Sequence, residues 1–231
     1  MIKMIKKIAC FLFISLFSVN VLAMSVGERR AVSVPKNYEI NMNQLVHYLT
    51  NGIDNKTEQA KAIAVWIATH VAYDHDANAA YRIGTHKNGQ AANDVFKNRV
   101  GICLGFSELY EKMLKLAGIK SEKVFGFVVE KSASKIKAKK DVKHEDIGHV
   151  WTKVTIPGRS PLNVDVTWMA RGKFGGGPRK KTEFARKREF RKNQRENKTY
   201  QHDMSYFDFS YSLLEQHGEF RFNSNRQAIK K

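Results

Sequence analysis

One cysteine stands where a helix is predicted to begin. Cys103 lies in the stretch RVGICLGF, between Gly101 and Gly105 and at the head of a segment with helical apolar spacing. A thiol becomes nucleophilic when it ionises, and a helix N-terminus stabilises the anion. The flanking glycines allow a tight turn and close approach of a substrate, and the Cys103 backbone N–H can help to form an oxyanion hole. A nucleophile is one interpretation, and a cysteine that only packs is the other.

Two further residues complete the chemistry that such a thiol needs. A cysteine nucleophile usually requires a histidine within hydrogen-bond reach and a third group that orients the ring. His149 lies in an alternating run typical of a strand, and Asp165 lies in the next such run. If the turn is centred near 157–159, these two residues become direct or diagonal neighbours. A shift of the strand register by one residue would separate the two side chains. The alternative interpretation is that His149 and Asp165 form a pair with a purely structural role.

The elements that must position these groups are helices followed by strands. Helical spacing predicts helices over Asn41–Leu49, Lys56–Val71 with Thr57 as cap, Ala91–Lys97, and from Cys103 to an end at Gly118. Strands are predicted over Lys123–Glu130, 149–156 and Pro161–Trp168, the last two joined as an antiparallel hairpin. Helices first and strands later indicate an α+β fold. No repeat or break in composition indicates a second domain.

The first 23 residues have the layout of a secretory signal peptide. Three lysines open the chain, an apolar run covers 8–19, and 21–23 offer a small-residue cleavage context. The run is too short to span a bilayer, and no later segment approaches that length. We therefore expect a soluble, secreted or periplasmic domain over 24–231, with a retained N-terminal anchor as the alternative. Cys10 leaves with the peptide, so Cys103 cannot form a disulfide within the mature chain.

The chain is strongly basic. Loss of the three lysines lowers the formal charge from +18 to +15, which favours anionic partners. Residues 171–198 alone carry 12 bases and 3 acids, and we interpret 172–198 as a basic insertion. Its Arg179–Lys198 part is expected to be a solvated charged helix, or to bind an acidic protein, an anionic lipid or a surface polymer. Export and the lack of a recognised nucleic-acid-binding motif argue against nucleic acid as the partner. No metal or other cofactor is expected.

Three segments together resemble the transglutaminase-like superfamily, which has a papain-related fold. They read GICLGFSELYEKMLKLAGIKSEKVFGF, GHVWTKVTI and PLNVDVTW. They match Gly-x-Cys-x-Gly opening a helix, His-x-Trp on a strand and Asp-x-Thr-Trp on the next. Flanking segments extend the resemblance over about 56–222, toward bacterial members and domains of the cytokinesis or kyphoscoliosis type. The resemblance implies that Cys103, His149 and Asp165 form a catalytic triad.

The resemblance also implies acyl transfer through a thioester. Cys103 would attack an acyl carbon, His149 would exchange the proton, and Asp165 would hold the ring. An amine that resolves the thioester gives cross-linking, whereas water gives deamidation or peptide cleavage, so transglutaminase, deamidase and cysteine protease all stay open. Trp151 and Tyr73 are candidates for the second oxyanion donor. The alternative from another class is a catalytically silent module that binds an anionic partner.

Overall fold

The long helices precede the strands of the larger sheet along the chain, as the sequence predicts. The computed structural model describes residues 24–74, 89–130, 147–170, 202–209 and 220–222. In these ranges the helices are α1 (Val26–Val32), α2 (Met42–Thr50), α3 (Lys56–His70), α4 (Ala92–Asn98), α5 (Cys103–Leu116) and α6 (Val166–Met169). The strands are β1 (Ala72–Tyr73), β2 (Val100–Gly101), β3 (Lys120–Glu130), β4 (Ile147–Thr155), β5 (Leu162–Val164) and β6 (Phe220–Phe222).

Helix α3 runs through the core. Residues 62–69 are all buried, because the apolar residues occur on every side of the helix rather than on one stripe. Helices α1, α2 and α5 pack against it. Asn55 caps its N-terminus by accepting hydrogen bonds from the Thr57 and Glu58 backbone N–H groups. The cap therefore lies two residues before the predicted Thr57, since the helix begins at Lys56.

Helix α5 carries the cysteine at its first residue and joins the helical core to the sheet. Its buried face includes Phe106 and Tyr110, and the Tyr110 hydroxyl donates to the Ala60 carbonyl of α3. The helix ends at Leu116, and Gly118, the predicted terminating residue, follows just after the cap residue Ala117 with φ +67°. There the Ile119 N–H donates to Leu114 O at 2.9 Å and the Gly118 N–H donates to Lys115 O at 3.1 Å. This closing pair of bonds requires the left-handed conformation that glycine adopts readily.

The larger sheet is antiparallel, with the strand order β5-β4-β3-β6. Strands β4 and β5 form the predicted hairpin, with Thr152 opposite Val164 and Val154 opposite Leu162. Helix α5 packs on β3 and β4, and the Ser107 hydroxyl donates to Val150 O at 3.3 Å. The α+β class is thus confirmed, and the helix that begins with Cys103 packs on an antiparallel sheet as predicted.

One predicted strand is shorter than expected. The alternating pattern over Pro161–Trp168 suggested a continuous strand, but β5 ends at Val164 and the chain turns into α6. Asp165 causes the turn, because its Oδ1 accepts the Trp168 backbone N–H at 3.0 Å and so caps the short helix. Asp165 therefore follows β5 directly instead of lying within it.

Some sequence predictions fall outside the described residues. These are the signal peptide at 1–23 and the basic segment Arg179–Lys198. Of the helices in the part of the chain that the structure describes, none has both the length and the apolarity needed to cross a bilayer.

Candidate active site

A short pair of parallel strands fixes the backbone just before Cys103, the first residue of α5. Strand β1 pairs with β2, so that Tyr73 lies opposite Gly101. Ile102 follows in extended conformation and is the N-cap residue, but its side chain makes no capping hydrogen bond. The backbone N–H groups of the first helical turn, beginning with Cys103, have no acceptor within the helix. The half-buried thiol of Cys103 thus lies beside groups that favour a negative charge.

Arg99 stabilises the turn that leads into β2. Its backbone has φ +57°, which is uncommon for a residue other than glycine. The guanidinium carbon lies 4.4 Å from the ring centre of Trp66 and 4.5 Å from that of Phe96, and Nη2 donates to Glu39 O at 2.8 Å. Burial lowers the pKa of Arg99 to about 10, partly opposed by Glu39. The sequence prediction did not identify this residue, because two of its partners, Trp66 and Glu39, lie far from it in the sequence.

The glycines around the cysteine make room for neighbouring side chains. A Cβ on Gly105 would overlap Gln90 Oε1 and would lie 2.8 Å from Val95 Cγ2. A Cβ on Gly101 would lie 3.2 Å from Val95 Cγ2 and 3.4 Å from Gln90 Oε1. Neither glycine is among the residues with positive φ. Close packing rather than a left-handed turn therefore explains why these positions lack a side chain.

His149 and Asp165 meet as the hairpin register predicts. Nε2 of His149 lies 2.6 Å from Oδ2 of Asp165, and the two side chains are 7% and 0% exposed. Burial lowers the pKa of His149, but the charge and hydrogen bond of Asp165, together with hydrogen bonding to Cys103, outweigh it and raise the pKa above its ordinary value. The structure thus brings the side chains of Cys103, His149 and Asp165 into one site.

The segment 202–209 holds Asp165 in position. The Asp165 backbone N–H donates to Tyr206 O at 3.0 Å, and Phe207 forms a bridge with Val164 of β5. The Phe209 N–H donates to Asn163 O at 3.1 Å. With Oδ1 bound to the Trp168 N–H, the carboxylate has one oxygen fixed by backbone and the other directed at His149.

Two tryptophans pack against the imidazole of His149. The Trp168 ring meets it edge-on at 90°, and Trp168 Nε1 lies 2.8 Å from His149 Nε2. One nitrogen cannot donate to a carboxylate and also accept from an indole, so we assign its proton to the stronger acceptor, Asp165, and treat the indole contact as packing. Trp168 was not predicted as a site residue, although the Asp-x-Thr-Trp motif contains it.

The two predicted oxyanion candidates occupy different surroundings. Trp151 stacks on His149 with ring centres 6.2 Å apart, is 1% exposed and packs against Phe209. Tyr73 lies on β1 and packs against Phe106 of α5 with ring centres 6.4 Å apart. Their roles as donors stay predictions. In the described ranges, no group of three or more His, Cys, Asp or Glu residues is arranged to hold a metal ion.

Comparisons with known proteins find sequences and structures that are similar to this chain. The family model described as Transglutaminase-like superfamily matches residues 43–170, which is more than half of the chain. The chain is similar to kyphoscoliosis peptidase of Mus musculus and of Homo sapiens, with 29% identity over 135 residues in each case. Each match covers 55% of this chain but only 18% of the relative. A crystal structure described as a TGase is similar at 14% identity and a TM-score of 0.41, covering 79% of this chain and 43% of that one.

Proposed function

This chain belongs to the transglutaminase-like superfamily, and from that premise we propose that it is an exported cysteine enzyme acting on amide groups of proteins or peptides through a thioester. The proposal is supported by the buried 2.6 Å contact between His149 and Asp165, with the Cys103 side chain close enough to the same ring to raise its pKa. A buried ion pair is weak evidence for stability, because desolvation offsets most of the attraction. A catalytic role explains its presence better than packing does.

The proposed reaction has two halves. In the first, the thiol proton of Cys103 is held by the His149 ring, the thiolate sulfur forms a bond to the amide carbon, and the carbonyl electron pair moves to oxygen. The C–N bond then breaks, and the protonated His149 ring gives its proton to the leaving nitrogen. In the second half, His149 takes a proton from water or from an amine, which attacks the thioester and releases the sulfur. The raised pKa of His149 supports this scheme, since the ring holds a proton near neutral pH for the leaving group.

The group that attacks the thioester determines which reaction the enzyme catalyses. Water gives deamidation or peptide cleavage, and a primary amine gives cross-linking. The relatives' name, kyphoscoliosis peptidase, supports hydrolysis of peptide bonds as the first branch to test. A silent module that binds an anionic partner through Arg179–Lys198 is the competing proposal, and it predicts that loss of the thiol has no chemical consequence.

Mass spectrometry of a protein mixture distinguishes these outcomes. The mixture is incubated with the full chain, with and without an added primary amine, and Cys103→Ala serves as the control. New termini indicate proteolysis, acid at glutamine indicates deamidation, and amine adducts on glutamine indicate transamidation. Identical peptides with the wild type and with C103A would overturn the enzyme proposal and favour the binding module.

Export is proposed from the character of residues 1–23. Expression of the full chain in a bacterium, followed by fractionation and intact-mass analysis, tests it. We expect the product outside the cytoplasm and shortened near Ala23. A product that keeps residues 1–23 and fractionates with the membrane would instead indicate a retained anchor.

A further inference from the structure

Gln90 is anchored beside the cysteine by its own side chain. Oε1 of Gln90 accepts the Ile102 backbone N–H at 2.8 Å, one residue before Cys103. The carboxamide also fills the space that a side chain at Gly105 would need. The amide is therefore held between residues on both sides of the nucleophile, against the first turn of α5.

The anchoring leaves the other end of this amide available. A carboxamide has one acceptor oxygen and an NH2 group with two donors. The oxygen is committed to Ile102, and among the described residues none accepts a hydrogen bond from Nε2. Two N–H donors on a fixed amide thus lie beside a helix start whose own N–H groups have no intrahelical acceptor.

We propose that Gln90 is the second oxyanion donor, acting together with the backbone N–H of Cys103. This inference rests on the proposed function, because attack of the Cys103 sulfur on a carbonyl carbon places a negative charge on the carbonyl oxygen. Gln90 transfers no proton in that step. Its Nε2 donates a hydrogen bond to the oxyanion while the S–C bond forms, and releases it when the carbonyl is restored.

Two reagents separate this role from general support of the thiol. Iodoacetamide alkylates a thiolate by direct displacement and forms no oxyanion. p-Nitrophenyl acetate acylates the same thiolate through an oxyanion. The ratio of the acylation rate to the alkylation rate therefore reports oxyanion stabilisation, whereas a change in the thiol itself alters both rates together.

Gln90→Ala and Gln90→Glu are the informative variants. Gln90→Ala removes anchor and donor, while Gln90→Glu keeps an acceptor for the Ile102 N–H and loses the donors. We expect the ratio to fall about 10²- to 10³-fold in both, as for loss of one oxyanion donor. Gln44→Ala, at an exposed glutamine on α2, should keep the wild-type ratio. The wild type, the variants and the control are all assayed as the full chain.

The results that would overturn the role of Gln90 differ from the result that would overturn the proposed function. A wild-type ratio in Gln90→Glu overturns the proposal, even if Gln90→Ala fails to fold, because the glutamate variant preserves the anchor. A fall in the ratio for Tyr73→Phe but not for the Gln90 variants also overturns it and assigns the donor to Tyr73. A wild-type chain that reacts with neither reagent overturns the proposed function itself, which is a different result from an unchanged ratio.

Discussion

Nε2 of His149 lies 2.6 Å from Oδ2 of Asp165 although 16 positions separate the two residues in the chain. The β4–β5 hairpin brings them together, and the helical cap formed by Asp165 directs its second oxygen at the ring. The pair is withdrawn from solvent, so the charge of Asp165 acts strongly on the His149 ring and raises its pKa.

Asp165→Asn should alter both the rate and the pH dependence of acylation. The substitution removes the charge that raises the pKa of His149, so burial, which lowers that pKa, acts with less opposition. We expect the alkaline limb of the profile to move to lower pH and the rate near neutral pH to fall about 10²- to 10⁴-fold. Rates with p-nitrophenyl acetate across the pH range measure both effects. Asp54→Asn, at an exposed aspartate, should leave the profile unchanged, and an unchanged limb in D165N would contradict the prediction.

The same pair should make the stability of the fold depend on pH. The pKa of His149 is raised in the folded state, so its contribution to the unfolding free energy is fully present below the unfolded value of about 6.5. That contribution is lost as the pH rises through the folded-state pKa. His149→Gln leaves Asp165 buried without its charged partner, which should cost about 3–5 kcal/mol near pH 6. Urea unfolding should show this difference shrinking at alkaline pH, and a difference independent of pH would argue against the coupling.

Gly105→Ala should damage the site by steric overlap. The added Cβ meets Gln90 Oε1 and Val95 Cγ2, and overpacking of this kind costs about 1–3 kcal/mol. We expect a lower melting temperature and slower acylation of Cys103. Gly118→Ala is the matched control, since its Cβ meets nothing within 4 Å but its φ of +67° is unfavourable for alanine. That control should lose stability while acylation by the folded fraction is retained, and equal losses of activity would contradict the local explanation.

Arg99 offers a test of backbone strain. Arg99→Ala and Arg99→Gly both remove the guanidinium that packs on Trp66 and Phe96, so both should be less stable than the wild type. Glycine tolerates the φ of +57°, whereas alanine does not, so the glycine variant should be about 1 kcal/mol more stable than the alanine variant. Urea unfolding of the three proteins gives the comparison. An alanine variant at least as stable as the glycine variant would show that the left-handed conformation is not retained.

Local sequence patterns predicted the elements that carry the site. The spacing of apolar residues after Cys103 predicted α5, Gly118 predicted its termination within two residues of the observed end, and alternation predicted the hairpin that pairs His149 with Asp165. Both patterns work because helical and strand periodicity follow from burial of one face, which the sequence displays directly. The same reasoning was wrong about the end of the strand after Val164, because alternation continues through Trp168 while the Asp165 side chain caps a helix instead.

Residue types and order by themselves determined the nucleophile candidate, its two partners and the α+β class. Only the tertiary structure decided that Gln90 and Arg99 support the start of α5. It also showed that residues 202–209 hold Asp165 by backbone hydrogen bonds, and that the glycines beside Cys103 make space for neighbouring side chains. These contacts join side chains from different elements, and no local periodicity encodes which of them will meet. Which side chains meet is decided by close packing between elements, and the pattern of residues along the sequence does not contain that information.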